Sequence, residues 1–151
     1  MPMQNARKYM DQALELAKAA AKAGEVPVGA IVVKDGEIIG RGANRPLTDH
    51  DPSAHAEIIA MREAAKALGS DRLTGCGLWV TLEPCAMCAG AIAHARIGRL
   101  YYGASDPKGG AVEHGPTLFD QPTIHHRPEV YGGIGSDEAS ALLKAFFAAR
   151  R

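Results

Sequence analysis

Four residues of this chain can do chemistry together: His55, Glu57, Cys85 and Cys88. They stand in two short runs, His55-Ala56-Glu57 and Pro84-Cys85-Ala86-Met87-Cys88. Zinc takes thiolate at about 2.3 Å and imidazole at about 2.0–2.1 Å. Cys85 and Cys88 are three positions apart, so on a helix they share a face and one cation can bridge them. His55 supplies a third ligand from a different helix. Three protein ligands leave one tetrahedral position open, and an open position belongs to a catalytic site. One Zn²⁺ per chain is expected.

Glu57 reads as a proton carrier and not as a ligand. Positions i and i+2 do not share a helix face, so Glu57 reaches the metal from the side. Both runs fall in the first turn of their helices, whose positive ends favour thiolates and a deprotonated water. Two thiolates neutralise Zn²⁺, so a hydroxide leaves the site at about −1, and a further anion is costly unless it takes up a proton. Glu57 can be that acceptor. Removing a water proton, protonating a ring nitrogen and protonating a departing amine need one carboxyl group used repeatedly.

Other readings of the same residues stay open. A Cys-x-x-Cys pair can be a redox site, although the context lacks a thioredoxin-like pattern. A fourth ligand, Cys76 or another histidine, would make the site structural. Cys76 otherwise reads as a small buried residue. His94, His114, His125 and His126 read as surface or hydrogen-bonded histidines, and His50 can line the mouth of the site.

The elements that must position these residues follow from periodicity. Residues 5–23 read as a helix, with Met10, Leu14, Ala17 and Ala21 on one stripe and Gly24 as the C-cap. Residues 26–33 are apolar and β-branched, a buried strand. Asp35-Gly36 centres a hairpin turn, and residues 38–42 return as a second strand. Residues 44–53 read as loop. Residues 54–68 form a second helix capped by Asp51 or Ser53. Residues 77–82 are a third strand, and Pro84 opens a third helix running to about His94. Residues 99–104 are a fourth strand. Residues 105–128 are loop-rich, with a short helix near Leu118, and residues 129–132 are a short fifth strand. Residues 136–150 form a last helix capped by Ser136. The order implies a three-layer α/β/α sandwich around a mixed sheet of about five strands, those after the hairpin running parallel.

The 151 residues suit one domain, 1–151. Lys plus Arg and Asp plus Glu number 17 each, which argues against a protein that grips nucleic acid by bulk charge. A local basic patch is still open to Lys108, Arg127, Lys144, Arg150 and Arg151. Three cysteines without a leader sequence disfavour a disulfide framework. No apolar run approaches the roughly 18 residues of a membrane span, so a cytoplasmic protein with no membrane contact is expected. Residues 89–95 are small and apolar almost all round. Such a helix wants burial on two sides, one by the sheet and one by a second copy in a homodimer.

The paired runs resemble the signature of the cytidine-deaminase superfamily. Further segments are similar to the bacterial tRNA-specific adenosine deaminase family: Val26-Pro27-Val28-Gly29-Ala30, Asn44-Arg45-Pro46, Val80-Thr81-Leu82-Glu83-Pro84, Ala93-His94-Ala95-Arg96-Ile97, Gly103-Ala104-Ser105-Asp106-Pro107-Lys108, and Phe146-Phe147 before Arg150-Arg151. The likeness covers nearly the whole chain. It implies a cytidine-deaminase-like fold and hydrolysis of adenosine to inosine at the wobble position of an arginine tRNA anticodon, by a homodimer. By position it implies zinc on His55, Cys85 and Cys88, and proton transfer by Glu57. It also implies a hydrogen bond from Asn44 to the flipped base, and contacts of Asp106 and Lys108 with the anticodon stem-loop. After Lys108 the chain reads Gly109-Gly110-Ala111-Val112-Glu113-His114 and departs from the usual pattern. Two rivals remain: a free-base deaminase acting on guanine or cytosine, and a catalytically silent zinc-containing RNA-binding module.

Overall fold

Along β1 (Gly29–Lys34), Ala30 and Val32 turn to one face of the sheet and Ile31 and Val33 to the other, all buried. In β3 (Gly77–Leu82), Leu78 and Val80 take the first face and Trp79 the second. Burial on both sides is the mark of central strands. The computed structural model describes residues 3–150, with side chains from Asn5 onward. Met1, Pro2 and Arg151 lie outside the described residues.

The sheet has five strands in the order β2-β1-β3-β4-β5, with β2 at Glu37–Ala43, β4 at Arg99–Ala104 and β5 at Glu129–Tyr131. The β1 strand is antiparallel to both neighbours, while β3, β4 and β5 run parallel. Helices α1 (Met3–Lys22) and α5 (Ser136–Ala148) cover one face. A short helix, α2 (Pro46–Asp49), precedes α3 (Ala56–Leu68), and α3 and α4 (Ala86–Ala95) cover the other face. This is the expected three-layer α/β/α sandwich with a mixed sheet.

The face carrying Trp79 is closed by aromatics. The Trp79 ring stacks on Tyr101 with centroids 4.2 Å apart, and its N–H donates to the Ala6 carbonyl of α1 at 2.9 Å. On the other face Gly42 of β2 lets α3 approach closely. A Cβ at Gly42 would stand 2.2 Å from the Ala56 carbonyl oxygen, so only glycine lets the first turn of α3 rest on the strand.

Several boundaries differ from the sequence reading, each for a local reason. The β1 strand starts at Gly29 and not at residue 26. Pro27 has no N–H for a ladder, and the Val28 N–H closes a tight turn onto the Val26 carbonyl at 2.8 Å. The 44–53 loop contains α2. Asp51 and Ser53 do not cap α3. The Asp51 carboxylate accepts from the Ser53 N–H and hydroxyl, and His55 takes the cap position. The α4 helix starts at Ala86 with Cys85 at its cap, two residues past Pro84. Ser136 is the first residue of α5. The cap is Gly135, whose φ of 71° is a left-handed conformation that suits glycine. The expected turn of helix near Leu118 is a single 3-10 turn, Leu118–Asp120.

Candidate metal and active site

The N-termini of α3 and α4 converge at one end of the sheet. His55 caps α3 with extended backbone (φ −77°, ψ 152°), and Cys85 caps α4 likewise (φ −74°, ψ 176°). Cys88 lies one turn into α4. The His55 Nδ1 stands 3.6 Å from Cys85 Sγ and 3.5 Å from Cys88 Sγ. A tetrahedral zinc with ordinary Zn–S and Zn–N bonds would set each N···S distance at about 3.6 Å. The three side chains thus fit zinc, and the ligand set His-Cys-Cys is one that zinc favours.

The two thiols act on each other. The hydrogen bond from Cys88 holds Cys85 down at about 5, and His55 adds to the effect. The bond to Cys85 and burial both push the Cys88 thiol up. Glu57 is buried beside them, and burial raises it to about 7, with the charge of Cys85 acting in the same direction. The carboxyl group also hydrogen-bonds Cys88. Cys76 is a free, buried thiol at the start of β3, away from this group, and burial raises its pKa.

The site opens into a cavity of about 310 Å³, the size range of small-ligand pockets. His55, Glu57 and Cys85 form its chemical wall, with Val26, Val28 and Leu82 apolar opposite. Asn44 and Asp106 line it as well. The Asn44 Oδ1 accepts the Ala56 N–H at 2.8 Å and thereby caps α3 from 12 residues away. That leaves its NH₂ as the group Asn44 can offer a ligand. Val26, Leu82 and Asp106 also border a second, outer groove of about 740 Å³, completed by Ser105, Lys108, Leu143, Phe147 and Arg150. Lys108 lines only this outer groove. Arg150 lines it too, with its guanidinium over the Phe146 ring at 3.5 Å. Arg127 is engaged elsewhere, with Asp120 at 2.9 Å. His50 is exposed at the C-terminus of α2 and lines neither space.

Two buried carboxylates that the sequence reading did not single out hold the two lips of the cavity. Glu25 accepts from the Thr48 N–H and hydroxyl, both at 2.7 Å, and from the Leu47 N–H at 3.3 Å, which fixes α2. Burial alone would raise its pKa, but these bonds outweigh it and hold it below the carboxylate range. Glu83 does the same for residues 105–114. Burial opposes its ionisation, and N–H donors led by Asp106, with His114, hold it low. His114 is correspondingly raised by its bond to Glu83. The only cue in the sequence was an acidic residue closing each of two apolar contexts, before Val26 and after Leu82.

Known proteins that share this fold are cytidine-deaminase-like deaminases. The MafB19-like deaminase family matches residues 4–151, which makes this chain a deaminase, an enzyme that removes an amine hydrolytically. Within that class it belongs to the family of the tRNA-specific adenosine deaminases. It is 53% identical over 143 residues to the tRNA-specific adenosine deaminase of Agrobacterium fabrum, covering 95% of this chain and 94% of that relative. A solved structure from a study of A-to-I editing by tRNA:A34 deaminases at the wobble position of transfer RNA is 54% identical. It superposes with a TM-score of 0.89 over 90% of this chain and 99% of the other. The guanine deaminase of Bacillus subtilis is more distant, at 35% identity and a TM-score of 0.65 over 95% of this chain and 92% of its own.

Proposed function

We propose that this chain deaminates adenosine to inosine at the wobble position of a tRNA anticodon, in an arginine tRNA, with one zinc per chain held by His55, Cys85 and Cys88. The observation that carries the RNA substrate is that the two spaces adjoin. Val26, Leu82 and Asp106 border both the inner cavity, of a size for one base, and a groove bearing Lys108, Arg150 and the half-exposed ring of Phe147. Cations and an exposed aromatic are what a flanking sugar–phosphate and a splayed base require.

When bound, zinc supplies Lewis acidity that lowers the pKa of a water to near neutrality. Glu57 takes the proton of the attacking water and passes it to N1 of adenine, beside the carbon under attack. It then takes the second proton from the oxygen newly bonded to that carbon and delivers it to the amine, so that the C–N bond breaks and adenosine and water become inosine and ammonia. The Asn44 NH₂ donates to a ring nitrogen and fixes the flipped base. Asp106 faces the ribose, and Lys108 a phosphate in the outer groove.

A free-base deaminase of the same fold is the rival. Against it, no described residue of α5 lines the inner cavity; Leu143 and Phe147 of α5, with Arg150 beyond it, border the outer groove instead. Sequencing tRNA treated with the purified protein decides, since inosine reads as guanosine, with free guanine and cytosine as competitors. Ammonia released from a free base, with the wobble adenosine unchanged, would overturn the proposal.

The proposal includes a homodimer in the cytoplasm. Ala91, His94 and Ala95 of α4 border an open depression of about 540 Å³ shared with Ile58, Met61, Arg62 and Ala65 of α3, with Asp71 and Leu73 completing it; its mix of small apolar residues and two opposite charges suits a second copy. Light scattering at micromolar concentration tests this, and a fully active monomer would refute it. Among the described residues no helix is long and apolar enough to cross a membrane. Cell fractionation, with tRNA as the cytoplasmic marker, tests the compartment.

A further inference from the structure

Glu83 takes no part in the proton transfers above, yet its buried carboxylate is saturated with donors. Oε1 accepts the Asp106 N–H at 2.9 Å and the His114 Nδ1–H at 2.8 Å. Oε2 accepts the N–H groups of Val112, Glu113 and His114 at 3.1, 3.0 and 3.1 Å. Three successive N–H groups aimed at one oxygen form a nest of the kind that holds anions. Gly110 lies so close that a Cβ there would stand 2.4 Å from the Glu83 carboxyl carbon. The segment is also tied to itself and to the link between β3 and α4. The Gly110 N–H donates to the Asp106 carbonyl at 2.8 Å, the Gly109 N–H to Asp106 Oδ1 at 3.0 Å, and the Ala111 N–H to the Pro84 carbonyl at 2.9 Å.

Glu83, Glu113 and His114 stand close enough to suggest a cation site. Their hydrogen bonds argue otherwise. The Glu83 oxygens face N–H donors, and Glu113 accepts from the hydroxyls of Tyr102 and Ser105. The cluster is a latch built around one internal anion.

We propose that Glu83 is a positioning residue for the polynucleotide substrate: its carboxylate, with His114 as the closing arm, sets the path of residues 105–114 and so places Asp106 at the cavity and Lys108 in the groove. This rests on the RNA reading given above. Loss of one charge-assisted hydrogen bond at such a latch corresponds to about a tenfold effect.

Two variants of the zinc-loaded protein test it. Glu83→Gln turns an amide NH₂ toward the N–H donors of the segment. His114→Ala removes only the arm and leaves the carboxylate in its backbone nest, so it remains informative if Glu83→Gln fails to fold. Hydrogen–deuterium exchange should quicken about tenfold in peptides covering residues 106–114 and stay unchanged over residues 86–95. With an anticodon stem-loop RNA, KM should rise about tenfold, while kcat at saturating RNA stays within about threefold and zinc content is unaltered. Unchanged exchange over 106–114 overturns the proposal. Faster exchange with an unchanged KM overturns it too, as does a loss confined to kcat. Failure of the RNA reading looks different, because the wild-type protein itself would then leave the stem-loop unedited. The positioning role would fall with it, while the exchange data would still report the latch.

Discussion

Asn44 performs two tasks that a pair of substitutions can separate. Its Oδ1 caps α3 through the Ala56 N–H at 2.8 Å, and its NH₂ is the group left for the base. Asn44→Ala removes both. Losing a cap acceptor costs about 1 kcal/mol, and in a chain of this length that lowers Tm by roughly 2–4 °C. Asn44→Asp keeps an acceptor of similar reach, and its charge at a helix N-terminus, favourable by about 0.3–1 kcal/mol, is opposed by Glu57 and the Cys85 thiolate, which share its cavity. Its Tm should therefore stay nearer the wild type than that of Asn44→Ala. It nonetheless lacks the donor and turns a lone pair toward a ring nitrogen. Both variants should lose about 10- to 100-fold in kcat/KM on an anticodon stem-loop, or roughly 1.4–3 kcal/mol of transition-state binding. The assay pairs thermal unfolding of zinc-loaded protein with steady-state kinetics, with zinc content as control. Wild-type kcat/KM in Asn44→Asp would refute the donor role, and an unchanged Tm in Asn44→Ala would refute the cap.

Glu57→Ala should retain zinc and RNA binding and lose turnover by about 10⁴-fold or more, because one carboxyl group serves successive proton transfers. Undiminished deamination by this variant would end the proton-carrier assignment. Cys85→Ala and Cys88→Ala should lose the metal and, with it, stability, whereas Cys76→Ser keeps one zinc per chain by elemental analysis. Lys108→Ala should weaken RNA binding and reduce the slope of log affinity against log salt by about one unit, measured at several salt concentrations. Glu25 supplies a pH test. Its pKa in the folded protein lies below the ordinary 4.5, so its contribution is complete above that value and is lost as pH falls through the folded one. Protection factors of the Leu47 and Thr48 amides should drop on acidification, and Glu25→Gln should abolish the pH dependence.

Sequence patterns reached those features that depend on neighbours in the chain. The unbroken apolar run of residues 26–33 predicts a buried strand, and β1 is buried on both faces; the spacing of Cys85 and Cys88 places both thiols at one helix start. The meeting of those thiols with His55 follows once α3 and α4 lie on the same face. What escaped is long-range. Asn44 caps a helix 12 residues on, where Asp51 and Ser53 are nearer candidates but bond each other. Glu25 and Glu83 look like surface acids because their donors lie 22 to 31 residues further along. Nothing local distinguishes a carboxylate that will be buried and satisfied by a loop from one that will be solvated.

The chain has a single tryptophan, and its position separates two kinds of observation. Trp79 is buried in the layer formed with α1, stacked on Tyr101, on the side of the sheet away from His55 and Cys88. Its fluorescence therefore reports the release of α1 from the sheet, on the face opposite the one that α3 and α4 cover. Zinc added to apoprotein should be silent at this wavelength as long as the metal acts only on the α3–α4 side. A shift in emission on zinc binding would mean that β3, which carries Trp79 and leads on to Cys85, transmits the tightening of one layer to the other.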